Sequence, residues 1–313
     1  MAVDVGGTHM RAALVDSEGR VVLRRVRPTP HHAEVPSAVT DLIRSVAGEN
    51  RSGAAVVGLP GPVDYRAGRL LWAPHLPEAW PEQLSERQLA EQVGIAVHLA
   101  NDADVAAVGE AYFGAGRGEH DVAYVTISTG IGAGVVFDGQ LLCGDRSLAE
   151  IGHTVIDRDA WDSGRPATLE ELASGSGMTR MATEAGLGAL DGEELEVLVA
   201  SGEATATGVW EAAVDAASIG VINLIMAFAP GVVVLGGGVG RRPTFFDHLV
   251  ATVERRMRPG SSKVRLVLDT LGDDAGLVGA ARWIAATSRP AAESAVAPPG
   301  PRVVTAGNAI GGN

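Results

Sequence analysis

The feature that most constrains the fold of this chain is a plan written twice. Ala2-Val3-Asp4-Val5 reads as a short strand that breaks at Gly6-Gly7-Thr8. Arg11 to Asp16 reads as a strand leaving that turn, Ser17-Glu18-Gly19 as a second turn, and Val21 to Val26 as a third strand. The pattern restarts at Val122 to Ile127, with the turn Ser128-Thr129-Gly130-Ile131-Gly132-Ala133-Gly134, the strand Val135 to Phe137, the tight turn Asp138-Gly139 and Gln140 to Leu142. Each copy predicts an antiparallel meander. Glycine turns let backbone N–H groups approach a phosphate closely, and Thr8 and Thr129 add hydroxyls. One Gly-Gly turn is also a common hairpin; two copies with the same order argue for a shared purpose. The 114–118 segment, rich in glycine, reads as a hinge between the two halves.

A second stretch places a carboxylate where ligands gather. Val97 to Ala100 is a β-type run, Asn101-Asp102 follows, and Val105 to Phe113 has helical spacing. Asp102 therefore stands between strand and helix, as a helix N-cap or as a general base at the carboxyl end of a strand. Asp4, just before the first turn, suits a magnesium ion held directly or through water.

The remaining signals are local. Pro60-Gly61-Pro62 after the buried run Ala54 to Leu59 makes a rigid rim or a plain turn. Trp72, His75 and Trp80 either line a pocket or pin an irregular loop. Helices are expected from Ala33 to Ala47, Leu84 to Val93, Glu203 to Ala227 and Ala275 to Ala286, and a short one from Leu169 ends in the Ser174-Gly175-Ser176-Gly177 cluster. Val232 to Leu235 is a buried strand running into Gly236-Gly237-Gly238, suited to a nucleotide. Residues 288–313, rich in Pro, Ala and Gly, read as a disordered tail.

Composition excludes several classes. A net charge of −13 over 313 residues disfavours nucleic-acid and anionic-membrane partners. The single cysteine, Cys143, precludes an internal disulfide and fits a reducing, cytoplasmic compartment. No charged-then-apolar leader follows Met1. The apolar region from Ala212 to Gly238 is interrupted by Asp215, Asn223 and Pro230, so it reads as a buried helix and strand.

Taken together, Asp4-Val5-Gly6-Gly7-Thr8, Gly58 to Asp64, Asn101-Asp102-Ala103, Ser128 to Gly134, Glu150-Ile151-Gly152-His153 and Leu235 to Gly238 resemble the ROK family of sugar kinases, of the hexokinase-actin-Hsp70 superfamily. The resemblance implies an α/β fold of two RNase H-like (actin-like ATPase) lobes around a central cleft. The small lobe would span 1–113, completed by the helix at 275–287, and the large lobe 114–274. It implies ATP and Mg2+ as cofactors, Asp102 as the base for a sugar 6-hydroxyl, and Gly61, Asn101, Glu150, His153 and Glu170 around the sugar. Gly6, Gly7, Thr8, Thr129, Gly130 and Gly132 would hold phosphates, and Gly236 and Gly237 the adenosine. A homodimer is implied by the resemblance alone.

Two departures touch the sugar side. The family's zinc-binding cysteines are absent from Trp161 to Glu170, so no four-ligand zinc site is expected. Ala73-Pro74-His75-Leu76-Pro77 replaces the usual Asn before Leu-Pro. The expected substrate is glucose or a glucose-like hexose. The alternatives are an aminosugar or cyclitol (kanosamine, N-acetylmannosamine or a C7-cyclitol) and, in another class, a non-catalytic sugar-binding regulator. Repressors of the family carry a DNA-binding domain before the first glycine turn; with the first strand read from residue 2 and an acidic net charge, a DNA-binding role is not expected.

Overall fold

The computed structural model describes residues 1–30, 35–48, 53–73, 80, 84–257 and 264–283. The start expected for the first helix at Ala33, His75 and the 284–313 segment lie outside them.

Both meanders form. β1 (Ala2–Val5), β2 (His9–Val15) and β3 (Val21–Pro28) pair antiparallel. After α1 (Val35–Ala47), β4 (Ala54–Leu59) returns parallel to β1. The hairpin of β5 (Val63–Asp64) and β6 (Arg69–Leu70) precedes α2 (Glu86–Val93). β7 (Ala96–Asn101) then pairs parallel to β4, giving the order β3-β2-β1-β4-β7. α3 (Asp102–Phe113) leaves β7 without a loop.

The second sheet repeats this strand for strand. β8 (Val122–Ile127), β9 (Ile131–Phe137) and β10 (Gln140–Leu141) form the meander. β11 (Val232–Gly236) and β12 (Arg265–Leu268) add in parallel, giving β10-β9-β8-β11-β12. Between β10 and β11 lie α4 (Arg158–Asp162), α5 (Leu169–Ala173), α6 (Gly175–Glu184), α7 (Gly192–Ala200) and α8 (Ala204–Phe228). α9 (Pro243–Arg256) joins β11 to β12, and α10 (Ala275–Gly279) follows.

Local composition explains the layers. β11, Val-Val-Val-Leu-Gly, is buried along its whole length, as a central parallel strand covered on both faces must be. β3 is largely exposed and carries Arg24, Arg25 and Arg27, cations that discourage pairing at an open edge. α8 is long and apolar enough to cross a bilayer by composition. Here it buries Trp210, Val214, Val221 and Leu224 in the core of the second half. Trp210 meets Phe245 of α9 edge to face at 5.6 Å.

α3 and α10, which follow the last strand of each sheet, pack against each other. Their backbones meet at glycines: a Cβ on Gly279 would fall 1.8 Å from the Val105 carbonyl oxygen, and one on Gly109 2.3 Å from that of Ala275. α3 also packs on β8 and β9, and α10 on β1 and β2, so the pair ties the sheets together.

The 114–118 segment, expected as a hinge between the halves, is locally ordered. Buried Glu110 clamps it, accepting from the Ala115 amide at 2.7 Å, while the Gly116 amide donates to the Glu110 carbonyl at 3.0 Å. Gly116 is small because it packs on the Val122 side chain.

Candidate active site

The strand-to-helix junction is built by Asn101. Its Oδ1 accepts from the amides of Ala103 (3.0 Å) and Asp104 (3.1 Å), which caps α3. Its Nδ2 donates to the Gly61 carbonyl at 3.1 Å. The cap is therefore Asn101 and not Asp102, a one-residue correction that both residue types allowed. Asn101 lines the site, and of its two Nδ2 donors one is used on the Gly61 carbonyl. Tyr65 completes the brace, donating to Asp104 at 2.6 Å and accepting from the Asn101 amide at 3.1 Å.

Relieved of capping, Asp102 accepts a bond from the Ala103 amide on Oδ1, at 2.8 Å. Burial, with the negative charges of Asp4 and Glu150, pushes its pKa up to about 7. Burial likewise pushes Asp104 up to about 8.

Asp102 stands at the meeting of two cavities. The first, about 150 Å³, is walled by Gly61, Trp72, Asp102, Glu150, His153 and Glu170. Ser147 Oγ donates to Glu150 at 2.8 Å, and the Ile131 amide to Glu170 at 2.8 Å. Gly130 lies against Glu170, where a Cβ would come within 2.5 Å of Oε2. Thr129, Gly130 and Gly132 also line this cavity, so much of the second glycine turn fronts the carboxylate-lined side. Trp72 packs on His153 with ring centroids 5.2 Å apart, whereas Trp80 is fully buried in the core.

The loop that carries Glu170 is organised without thiolates. Asp157 caps α4 through the Ala160 amide, and Thr168 and Glu171 form a reciprocal capping box on α5. The amides of Ile156 and Leu169 bond to the carbonyls of Ala167 (2.9 Å) and Thr154 (3.0 Å). The Ser174–Gly177 cluster ends α5, as expected, and also starts the next helix: the Ser174 amide donates to the Glu170 carbonyl at 3.1 Å, its side chain caps α6, and the Gly175 amide donates to the Ser128 carbonyl at 2.7 Å. A glycine there keeps α6 close to the Ser128 turn.

The second cavity, about 230 Å³, is lined by Asp4, Arg11, Asp102, Gly238, Arg241 and Asp273. Arg11 Nε donates to Asp4 Oδ2 at 3.0 Å. A third cavity, about 630 Å³, opens among Ser128, Thr129, Ser176, Arg180, Gly238 and Arg242. Ser128 lines all three, and Gly238 the second and third. Gly6, Gly7 and Thr8 line none of them; they form the turn beyond Asp4, where the Gly6 amide donates to the His9 carbonyl at 2.9 Å.

In the third glycine run, Gly237 lines the second cavity together with Gly238. Gly236 is enclosed by Tyr124 and Asp269, and Gly237, at φ +84°, abuts the Ile127 carbonyl. Gly238 is the member with open space where a side chain would be. Sequence reasoning also missed Arg241 and Asp269, paired 28 positions apart; a cation after a glycine run was the only signal.

The model of the ROK family matches residues 1–287. The chain belongs to the ROK family. A glucokinase from Thermotoga maritima is 30% identical, over 91% of this chain and 96% of its own length. A ROK hexokinase structure from Thermus thermophilus superposes with a TM-score of 0.79 at 36% identity, covering 89% of this chain and 95% of that one. A ROK glucokinase from Streptomyces griseus, solved with glucose and AMPPNP, gives 0.75 at 29% identity, covering 89% and 96%. These neighbours share the α/β fold of two actin-like lobes that the repeated sheets display here.

Proposed function

We propose that this ROK protein transfers the γ-phosphoryl group of ATP to the 6-hydroxyl of glucose or a glucose-like hexose. The observation that carries this reading is the place of Asp102, where a cavity walled by Glu150, His153 and Glu170 meets one that leads on to a 630 Å³ chamber. The first cavity offers acceptors to sugar hydroxyls. The chamber has the size for a nucleoside, and the cavity between them the position for its phosphates.

In the proposed reaction, the Asp102 carboxylate accepts the proton of the sugar 6-hydroxyl. That oxygen forms the new bond to the γ-phosphorus, the bond from phosphorus to the bridging oxygen breaks, and its electron pair leaves with ADP. The half-buried Asp4 suits a hard cation shared with substrate phosphates, because its Oδ1 has no hydrogen-bond partner among the described residues. Mg2+ held there would neutralise charge on the phosphates. We read the two sheets as the cores of two lobes, 1–113 with the helix after residue 274 and 114–274, closing on the substrates in the cytoplasm and excluding water.

A second substrate reading, an aminosugar or cyclitol, is favoured by the thiolate-free 157–171 loop and by the Trp72–His153 contact in the same wall. An ADP-release assay with ATP and Mg2+ over glucose, mannose, N-acetylmannosamine, glucosamine, kanosamine and a C7-cyclitol separates the two. Turnover led by glucose supports the first, and turnover confined to an aminosugar or cyclitol the second. Sugar binding without turnover on any of them overturns the kinase in favour of a regulator.

A further inference from the structure

The cavity between the sugar side and the large chamber holds three carboxylates, those of Asp4, Asp102 and Asp273, and must still accept a chain of phosphates if the proposed function holds. Among the described residues two cations line it, Arg11 and Arg241. Arg11 is turned back on Asp4 through both Nε and Nη2. Arg241 is held differently. Its amide donates to the Gly237 carbonyl at 3.0 Å, which fixes its backbone to the glycine turn. Its Nε reaches both oxygens of Asp269, at 2.9 and 2.8 Å, and the Asp269 side chain is only 2% exposed. Its Nη1 meets Asp273 at 2.6 Å, an oxygen on a 74% exposed side chain. Nη2 has no partner among the described residues.

One edge of the guanidinium is thus anchored on a buried carboxylate, and the other is tied to an exposed one or to nothing. Gly238, which lines the same cavity, has open space where a side chain would be. We propose that Arg241 binds the phosphate chain of the nucleotide with Nη1 and Nη2, exchanging Asp273 for phosphate oxygens while Asp269 keeps Nε in place. An anchored planar fork suits two phosphate oxygens in a way that a lysine ammonium does not. The inference rests on the proposed ATP site and adds to it a residue that fixes the phosphates.

The test is nucleotide binding by calorimetry on the full chain with Mg2+, using ADP and adenosine as probes, with steady-state kinetics alongside. R241M is expected to weaken ADP about tenfold or more, to lower kcat/KM for ATP by a larger factor, and to leave adenosine and glucose affinities within about twofold. R241K, which keeps the charge and loses the fork, is expected to recover only part of the ADP affinity. D273N, which frees Nη1 without touching the Asp269 anchor, is expected to tighten ADP. Equal ADP affinity in R241M and wild type overturns the inference, as does an equal loss of ADP and adenosine. If R241M does not fold, wild-type ADP affinity in both R241K and D273N overturns it. Wild type that binds ADP through Arg241 but phosphorylates no sugar overturns the kinase reading and leaves this one standing.

Discussion

A base that works at neutral pH needs an environment that makes its proton welcome but not permanent. Asp102 has that environment: burial and the nearby Asp4 and Glu150 raise its affinity for a proton, and the Ala103 amide restrains the rise. If it is the base, D102A should lose several orders of magnitude in turnover while sugar affinity, measured by tryptophan fluorescence, stays within about threefold. Only the ionised form accepts a proton, so kcat/KM for the sugar should climb with pH through an apparent pKa of about 7 in the free enzyme and flatten above it. The same shift carries a stability cost. The folded pKa lies above the ordinary value of 3.8, so between pH 4 and 7 the native state holds more protons than the unfolded chain, and stability falls as pH rises through that window. D102N removes the buried charge. Its melting temperature should exceed wild type by about 5 °C at pH 8 and match it at pH 4. Equal melting temperatures at pH 8 would contradict the assigned burial of charge.

At the scale of elements, the sugar-side wall is a matter of helix caps. Thr168 and Glu171 close the first turn of α5, and that turn carries Glu170 to its bond with the Ile131 amide. T168A should cost about 1 kcal/mol of stability and raise KM for the sugar more than it lowers kcat. Treatment with a strong chelator, with no nucleotide present, should leave sugar affinity unchanged, because caps and backbone bonds shape this loop. What the sequence made legible at this scale was whatever is written locally. Both glycine turns, the Asn101-Asp102 junction and the long apolar helix were readable because their signals lie within a few residues. The glycine cluster at 174–177 was read as the end of α5, which it is; that it also begins α6 was not legible, because Ser-Gly-Ser suits the end of one helix and the start of the next. The order of Gly236, Gly237 and Gly238 could not be read at all: Tyr124, Asp269 and Ile127 decide which of them faces open space.

Over the whole molecule, one sheet plan appears twice and the two following helices cross. The repeat was visible in the turns; the crossing was not, because Gly109 and Gly279 lie 170 positions apart and nothing near either announces the other. G279A should be costly, at about 3 kcal/mol or more, since the new methyl would have to displace the Val105 carbonyl. Denaturant unfolding checks this, and the neighbouring G276A, with open space around it, is the control that should change little.

The α3–α10 contact also fixes an order of events during synthesis. Leu277 of α10 packs with Ala2 and Ala13, so a piece of the first sheet's apolar surface is covered by residues translated more than 260 positions later. A ribosome that has delivered all of β1 through α3 has delivered a half that cannot yet bury its own face. Until the stretch around residue 277 emerges, that face is open to whatever apolar surface comes near, and a nascent chain stalled before it is the form of this protein most exposed to aggregation.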